Sequence, residues 1–143
     1  MKNSIEIFFD DTEILDLNPE FFVSWLSEVC SREKCTLGRL NLVFCSDEKL
    51  LEINKEFLNH DYYTDIITFG NIEDDYVGGE LYLSVDRVRE NANDLNIEFT
   101  HELYRVVVHG VLHLCGYKDK EDEELRVMRG KESEYLKMVS RET

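Results

Sequence analysis

His109 and His113 are two of only four histidines in 143 residues, and they stand four apart in the stretch HGVLHLCGYKD. From Val106 to Leu114 no other residue is ionisable. A helix that is apolar nearly all round is a buried one, and a buried imidazole must find either hydrogen bonds or a metal. Positions i and i+4 share a helix face with Cβ atoms about 6 Å apart, so both rings can reach one cation. Zinc bonds histidine nitrogen at about 2.0–2.1 Å, within reach of such a pair.

A tight site needs a third ligand. Gly116 ends the helix and lets the chain reverse, and Asp119 follows three residues later. The pattern His-x3-His-x2-Gly-x2-Asp has metzincin spacing, with Asp in the last ligand position. Three protein ligands leave a fourth position for water, the open arrangement of a catalytic zinc site. There the cation lowers the water's pKa toward neutrality and supplies a nucleophile. Asp119 also has a plainer reading, as N-cap of the last helix with Asp122 in its first turn. An i,i+4 histidine pair alone is more often structural than metal-binding. The glycine and the third-ligand spacing favour the metal. Gly110 stands where HExxH peptidases keep the glutamate that takes a proton from the zinc-bound water, which disfavours peptide hydrolysis. Phosphodiester cleavage leans less on a protein base, because the cation stabilises phosphoryl charge.

The elements that must hold these residues read as α+β. SIEIFFDD, LGRLNLVFCS, TDIITFG and ELYLSV are the strands, separated by turn-rich or helical segments. Asn18 as N-cap and Pro19 at the first helical position start a helix carrying Trp25, Leu26, Val29 and Cys30. Ser46 caps a second helix and Asp86 a third, through Asn93. Thr100 starts the most apolar helix, ended by Gly116. The last helix runs from about Glu121 to Met138, with Leu125, Met128, Tyr135 and Val139 on its apolar side. We expect a small mixed sheet of about four strands packed with about five helices, in one domain spanning residues 1–143.

Composition narrows the class. The chain is 43% hydrophobic and 33% charged, as in a globular protein. MKNSIEIFFDD meets acids where a leader would be apolar, and no run approaches a membrane span, so a cytoplasmic protein is expected. Four cysteines without a CxxC pair read as reduced core residues. Cys115 adjoins the histidines, but two residues after His113 it points to the other side of the helix. The formal charge of −15 argues against non-specific adhesion to nucleic acid, which rests on Lys and Arg.

HGVLHLCGYKD resembles the HGxLHLxGYDH signature of the YbeY family, bacterial metal-dependent endoribonucleases tied to 16S ribosomal RNA maturation and ribosome quality control. INKEFLNHDYYTDIITF is similar to that family's Asn-containing helix end followed by TDVLSF, and GGELYLSVDRV to its LGDI-type strand. Together these cover most of the chain from Ile53 to the last helix, in the family's order. The resemblance implies a zinc-dependent endoribonuclease acting on single-stranded ribosomal RNA, with one zinc ion held by His109, His113 and Asp119 on a long helix. It implies the small ribosomal subunit as partner, with ribosomal proteins as candidates, and leaves the general base unidentified.

Two positions depart from the pattern. The third ligand is usually His, and Asp119 stands there; carboxylate is an accepted zinc ligand, and its charge should make a bound water less acidic. Leu58 falls where the family usually has an arginine. Arg105, one turn before His109, is a candidate to replace it, or else forms an ion pair with Glu102 or His101. Lys55, Arg87 and Arg89 are weaker candidates, and His60 is either a proton carrier or a solvated loop histidine. Leu58 and the acidic charge also favour an alternative, a non-catalytic ribosome-assembly factor with a structural zinc.

Overall fold

The computed structural model describes residues 3–140, so Met1 and Lys2 of the N-terminal segment and residues 141–143 lie outside the described residues. Its elements run β1 (Ser4–Asp10), α1 (Pro19–Arg32), β2 (Thr36–Cys45), α2 (Asp47–Leu58), β3 (Ile66–Glu73), β4 (Tyr76–Ser84), α3 (Val85–Leu95), α4 (Phe99–Leu114) and α5 (Asp122–Ser140). Four strands and five helices match the α+β expectation. The sheet order is β1-β2-β4-β3, with β1, β2 and β4 parallel and β3 antiparallel to β4. Parallel neighbours need a crossover, which α1 supplies between β1 and β2. The β3–β4 hairpin closes through Asp74 and Asp75, both at positive φ (51° and 66°), as a two-residue type I′ turn requires.

Period-2 alternation separates the two faces of the sheet. Ile66, Leu81 and Leu83 point into the main core, which α1, α4 and α5 complete with Trp25, Leu26, Leu112 and Tyr135. Ile67 and Tyr82 point the other way, where α2 covers β3 and β4 with Leu50 and Ile53. Trp25 Nε1 donates to the Tyr135 carbonyl at 3.1 Å, joining α1 to α5 inside that core. Among the described residues no helix is long and apolar enough to cross a membrane.

The helix starts show which local signals hold. Asn18 accepts from the Glu20 N–H at 3.0 Å with Pro19 behind it, and Ser46 accepts from Lys49 N–H at 3.1 Å. Asp86 does not cap α3. Ser84, still extended at the end of β4, reaches the Arg87 N–H first, at 3.0 Å. Asp86 instead accepts from the Asp47 N–H at 2.9 Å, serving the neighbouring helix. Helix α4 starts at Phe99 rather than Thr100, after Glu98 and without a side-chain cap. Leu125, expected on the apolar side of α5, is 38% exposed.

Gly110 packs against side chains of the sheet. A Cβ there would meet Ile66 Cδ1 at 2.7 Å and both Leu81 methyls at 3.1 Å. The position therefore faces packed hydrocarbon, which explains a residue that weakens a helix by about 1 kcal/mol relative to alanine. Gly110→Glu should unfold the protein at lower urea without generating any peptidase activity, because a carboxylate would enter the core unpaired. A stable Gly110→Glu variant that cleaves peptides with metal added would show that this face is open.

Candidate metal centre

The centre is built by the turn that ends α4. With Cys115 as C-cap, Gly116 N–H bonds to the His113 carbonyl and Tyr117 N–H to the Leu112 carbonyl, both at 3.0 Å. This pair of bonds is the Schellman motif, and it needs the positive φ that Gly116 takes, 109°. The reversal lays the Tyr117 carbonyl 2.9 Å from His113 Nδ1 and brings Asp119 back over the helix. A carbonyl can only accept, so the ring proton of His113 sits on Nδ1 and its Nε2 faces Asp119.

His109 is oriented from elsewhere in the chain. Its Nδ1 lies 2.6 Å from Glu132 on α5, which is 1% exposed. Burial alone would raise the Glu132 carboxyl, but hydrogen bonds from His109 and Arg129 and the charge of Arg105 outweigh it and hold it below its ordinary value. An ionised carboxylate accepts, so His109 also carries its proton on Nδ1. Such a carboxylate–histidine pair is the usual outer support of a metal-binding imidazole. Arg105 completes the support, bonding Glu102 at 2.7 and 2.8 Å and Glu132 at 3.1 Å.

Both rings thus turn their Nε2 atoms toward the same point. The Nε2 atoms are 3.0 Å apart, and the nearer Asp119 oxygen is 3.2 Å from His109 Nε2 and 3.3 Å from that of His113. With both imidazoles neutral, the two Nε2 lone pairs and the carboxylate would repel, and a cation shared by all three would relieve that repulsion. Tetrahedral ligands at zinc's bond lengths stand roughly 3.3–3.4 Å apart, close to the spacing found. The donor set therefore fits a small tetrahedral cation. Asp119 is free for this role because it caps no helix: α5 begins after Glu121, whose N–H is taken by Glu124 at 3.1 Å.

The three residues line a cavity of about 320 Å³ together with Leu58, His60, Tyr62 and Asp65. Burial, opposed by Arg105, pushes the Asp65 carboxyl up from its ordinary range. A wider groove of about 570 Å³ at the α3–α4 junction contains His101 and no converging donors, so size does not locate the site. The cavity lining includes no Lys or Arg among the described residues. The cations considered for phosphate are all engaged: Arg105 by Glu102 and Glu132, Lys55 by Asp61, Arg87 by Asp47 and Glu90, and Arg89 by Glu13. His60 reaches the cavity wall with its ring stacked on Tyr62.

The family model for endoribonuclease YbeY matches residues 10–140. The chain belongs to the YbeY endoribonuclease family. The YbeY endoribonuclease of Flavobacterium psychrophilum is 49% identical over 117 residues, 82% of this chain and 84% of its own length. That of Cytophaga hutchinsonii is 44% identical over 140 residues, 96% of this chain and 98% of its own. The solution structure of a Thermotoga maritima protein superposes with a TM-score of 0.69 at 33% identity, covering 96% of this chain and 90% of that one. Membership brings endoribonuclease chemistry, and RNA processing broadly, to the chain. Glu132 and Asp65 are the members of this site that the sequence reading missed.

Proposed function

We propose that this member of the YbeY family is a zinc-dependent endoribonuclease of single-stranded ribosomal RNA, working as one domain in 16S 3′-end maturation and ribosome quality control. The observation that carries the reading is the convergence of two imidazole nitrogens and a carboxylate within 3.3 Å of one another in the cavity. Two nitrogens and one oxygen suit zinc and leave a position open. A zinc ion held there supplies Lewis acidity to a phosphoryl oxygen and acidity to a water.

The chain's own residues do the rest. Tyr117 and Glu132 fix the two rings, so no reorganisation accompanies the reaction. Asp119 sets the charge of the donor set. Leu58, His60 and Tyr62 offer apolar and aromatic surface to unstacked bases, the mode by which proteins read single-stranded RNA. With no Lys or Arg in the lining among the described residues, RNA affinity should depend only weakly on salt.

One observation favours a second reading. The engagement of Arg105, Lys55, Arg87 and Arg89 by carboxylates suits an assembly factor whose zinc is structural and whose acidic surface meets basic ribosomal proteins. A strain lacking the gene separates the two. Wild-type protein should restore mature 16S 3′ ends while His113→Ala leaves them extended. Mature ends with both, together with co-sedimentation on the small subunit, would select the assembly factor.

A further inference from the structure

The last turn of α4 carries a second donor cluster on its other side. The sulfurs of Cys30, Cys35 and Cys115 lie within 4.8 Å of one another, and those of Cys35 and Cys115 are 3.6 Å apart. All three are free thiols, Cys30 fully buried and the others partly exposed. Three chain segments deliver them. Helix α1 ends just past Cys30, Lys34 takes a φ of 64°, and the chain folds back so that Cys35 N–H bonds the Cys30 carbonyl at 2.9 Å. Cys115 is the C-cap of α4, held by its N–H on the Val111 carbonyl at 2.9 Å.

We propose that Cys30, Cys35 and Cys115 form a second metal site, a three-sulfur site for a soft d10 cation, with monovalent copper as its biological type. An all-thiolate donor set selects soft ions over oxygen-seeking ones. Among the described residues coordination stops at three. Glu33, the neighbouring carboxylate, is already bonded by Tyr117 at 2.6 Å, by Lys131 at 3.2 Å and by Tyr135. Three-coordination matches monovalent copper, whereas a structural zinc site takes a fourth protein ligand. Binding must displace the thiol protons, so only an ion that bonds thiolate strongly can enter. Each copper–sulfur bond replaces an S–H bond, the proton passes to solvent, and no oxidation state changes. The partly exposed edges of Cys35 and Cys115 give the ion a path in and the residual negative charge a hydrated side.

The test loads full-length, reduced, metal-free protein with one equivalent of monovalent copper under anaerobic conditions. X-ray absorption should show a shell of three sulfurs and no nitrogen. In competition with a copper chelator, Cys35→Ala should weaken binding by more than the roughly tenfold that loss of an outer partner costs a metal site. Cys45→Ala, a buried thiol outside the cluster, should leave binding unchanged. A nitrogen shell in the wild-type protein, which would place the copper on the histidines, overturns the proposal whether or not the variants fold. So does equal affinity in wild type and Cys35→Ala.

Discussion

Replacing Glu132 by alanine is expected to destabilise the protein by about 3–5 kcal/mol, the usual cost of removing one partner from a buried charge network. It should also weaken zinc binding by about 10–100-fold, the range for losing the outer partner of a ligand. Both effects follow from one carboxylate with three donors: His109 at 2.6 Å, Arg129 at 2.7 Å and Arg105 at 3.1 Å. Without it, the Arg105 guanidinium, 19% exposed, keeps Glu102 but loses its second bonded carboxylate, and His109 loses the acceptor that holds its proton on Nδ1. Glu132→Gln, which keeps the volume and an acceptor, should recover part of the metal affinity. Urea unfolding and chelator competition read the two effects separately. Stability lost with metal affinity intact would show that Glu132 supports the fold and not His109.

The same carboxylate has a pH signature. Its folded pKa lies below its ordinary value of 4.5. The stabilisation is therefore complete above that value and is lost as the pH falls through the lower folded pKa. Acid unfolding of Glu132→Gln should lack this part of the slope.

Asp119→Ala is the second large effect, and it should separate two readings of one residue. Zinc affinity should fall by more than the range given for Glu132, since a ligand itself is removed. Metal-free stability should change by no more than roughly 0.5 kcal/mol, the scale of a surface substitution. The reason is that Glu124 serves the start of α5 and Asp119 serves nothing there. Unchanged zinc binding with a lowered melting temperature in chelator would return Asp119 to the role of a helix cap.

What the sequence showed and what it hid divide by distance along the chain. The Asn18–Pro19 and Ser46 caps, the extent of α4 and the Gly116 turn are local, decided within a few residues by backbone conformation and capping. The three facing donors were legible for the same reason, because i,i+4 spacing and one Schellman turn bring His109, His113 and Asp119 together. Asp86 was misassigned because Ser84, two residues earlier, offers the better geometry at the end of a strand. Glu132 lies 23 residues from its histidine, yet it left a trace. The buried stripe of α5 runs Met128, Glu132, Tyr135, Val139, and a carboxylate at such a position demands a partner. The cysteine cluster left none, since its sulfurs come from two helix ends and a turn that only the packing of α1 against α4 brings together. Gly110, read as the place of a missing base, is explained by Ile66 and Leu81 of the sheet beneath it.

If a cation held by His109, His113 and Asp119 performs RNA cleavage, activity must follow the metal. The direct measurement is cleavage of single-stranded RNA by untagged protein that has been stripped with chelator and then reloaded with one equivalent of zinc. Stripped protein should not cleave, reloading should restore cleavage, and His113→Ala should not recover. Equal cleavage by stripped protein or by His113→Ala, or none by the reloaded wild type at stoichiometric amounts, would rule out cleavage by this cation.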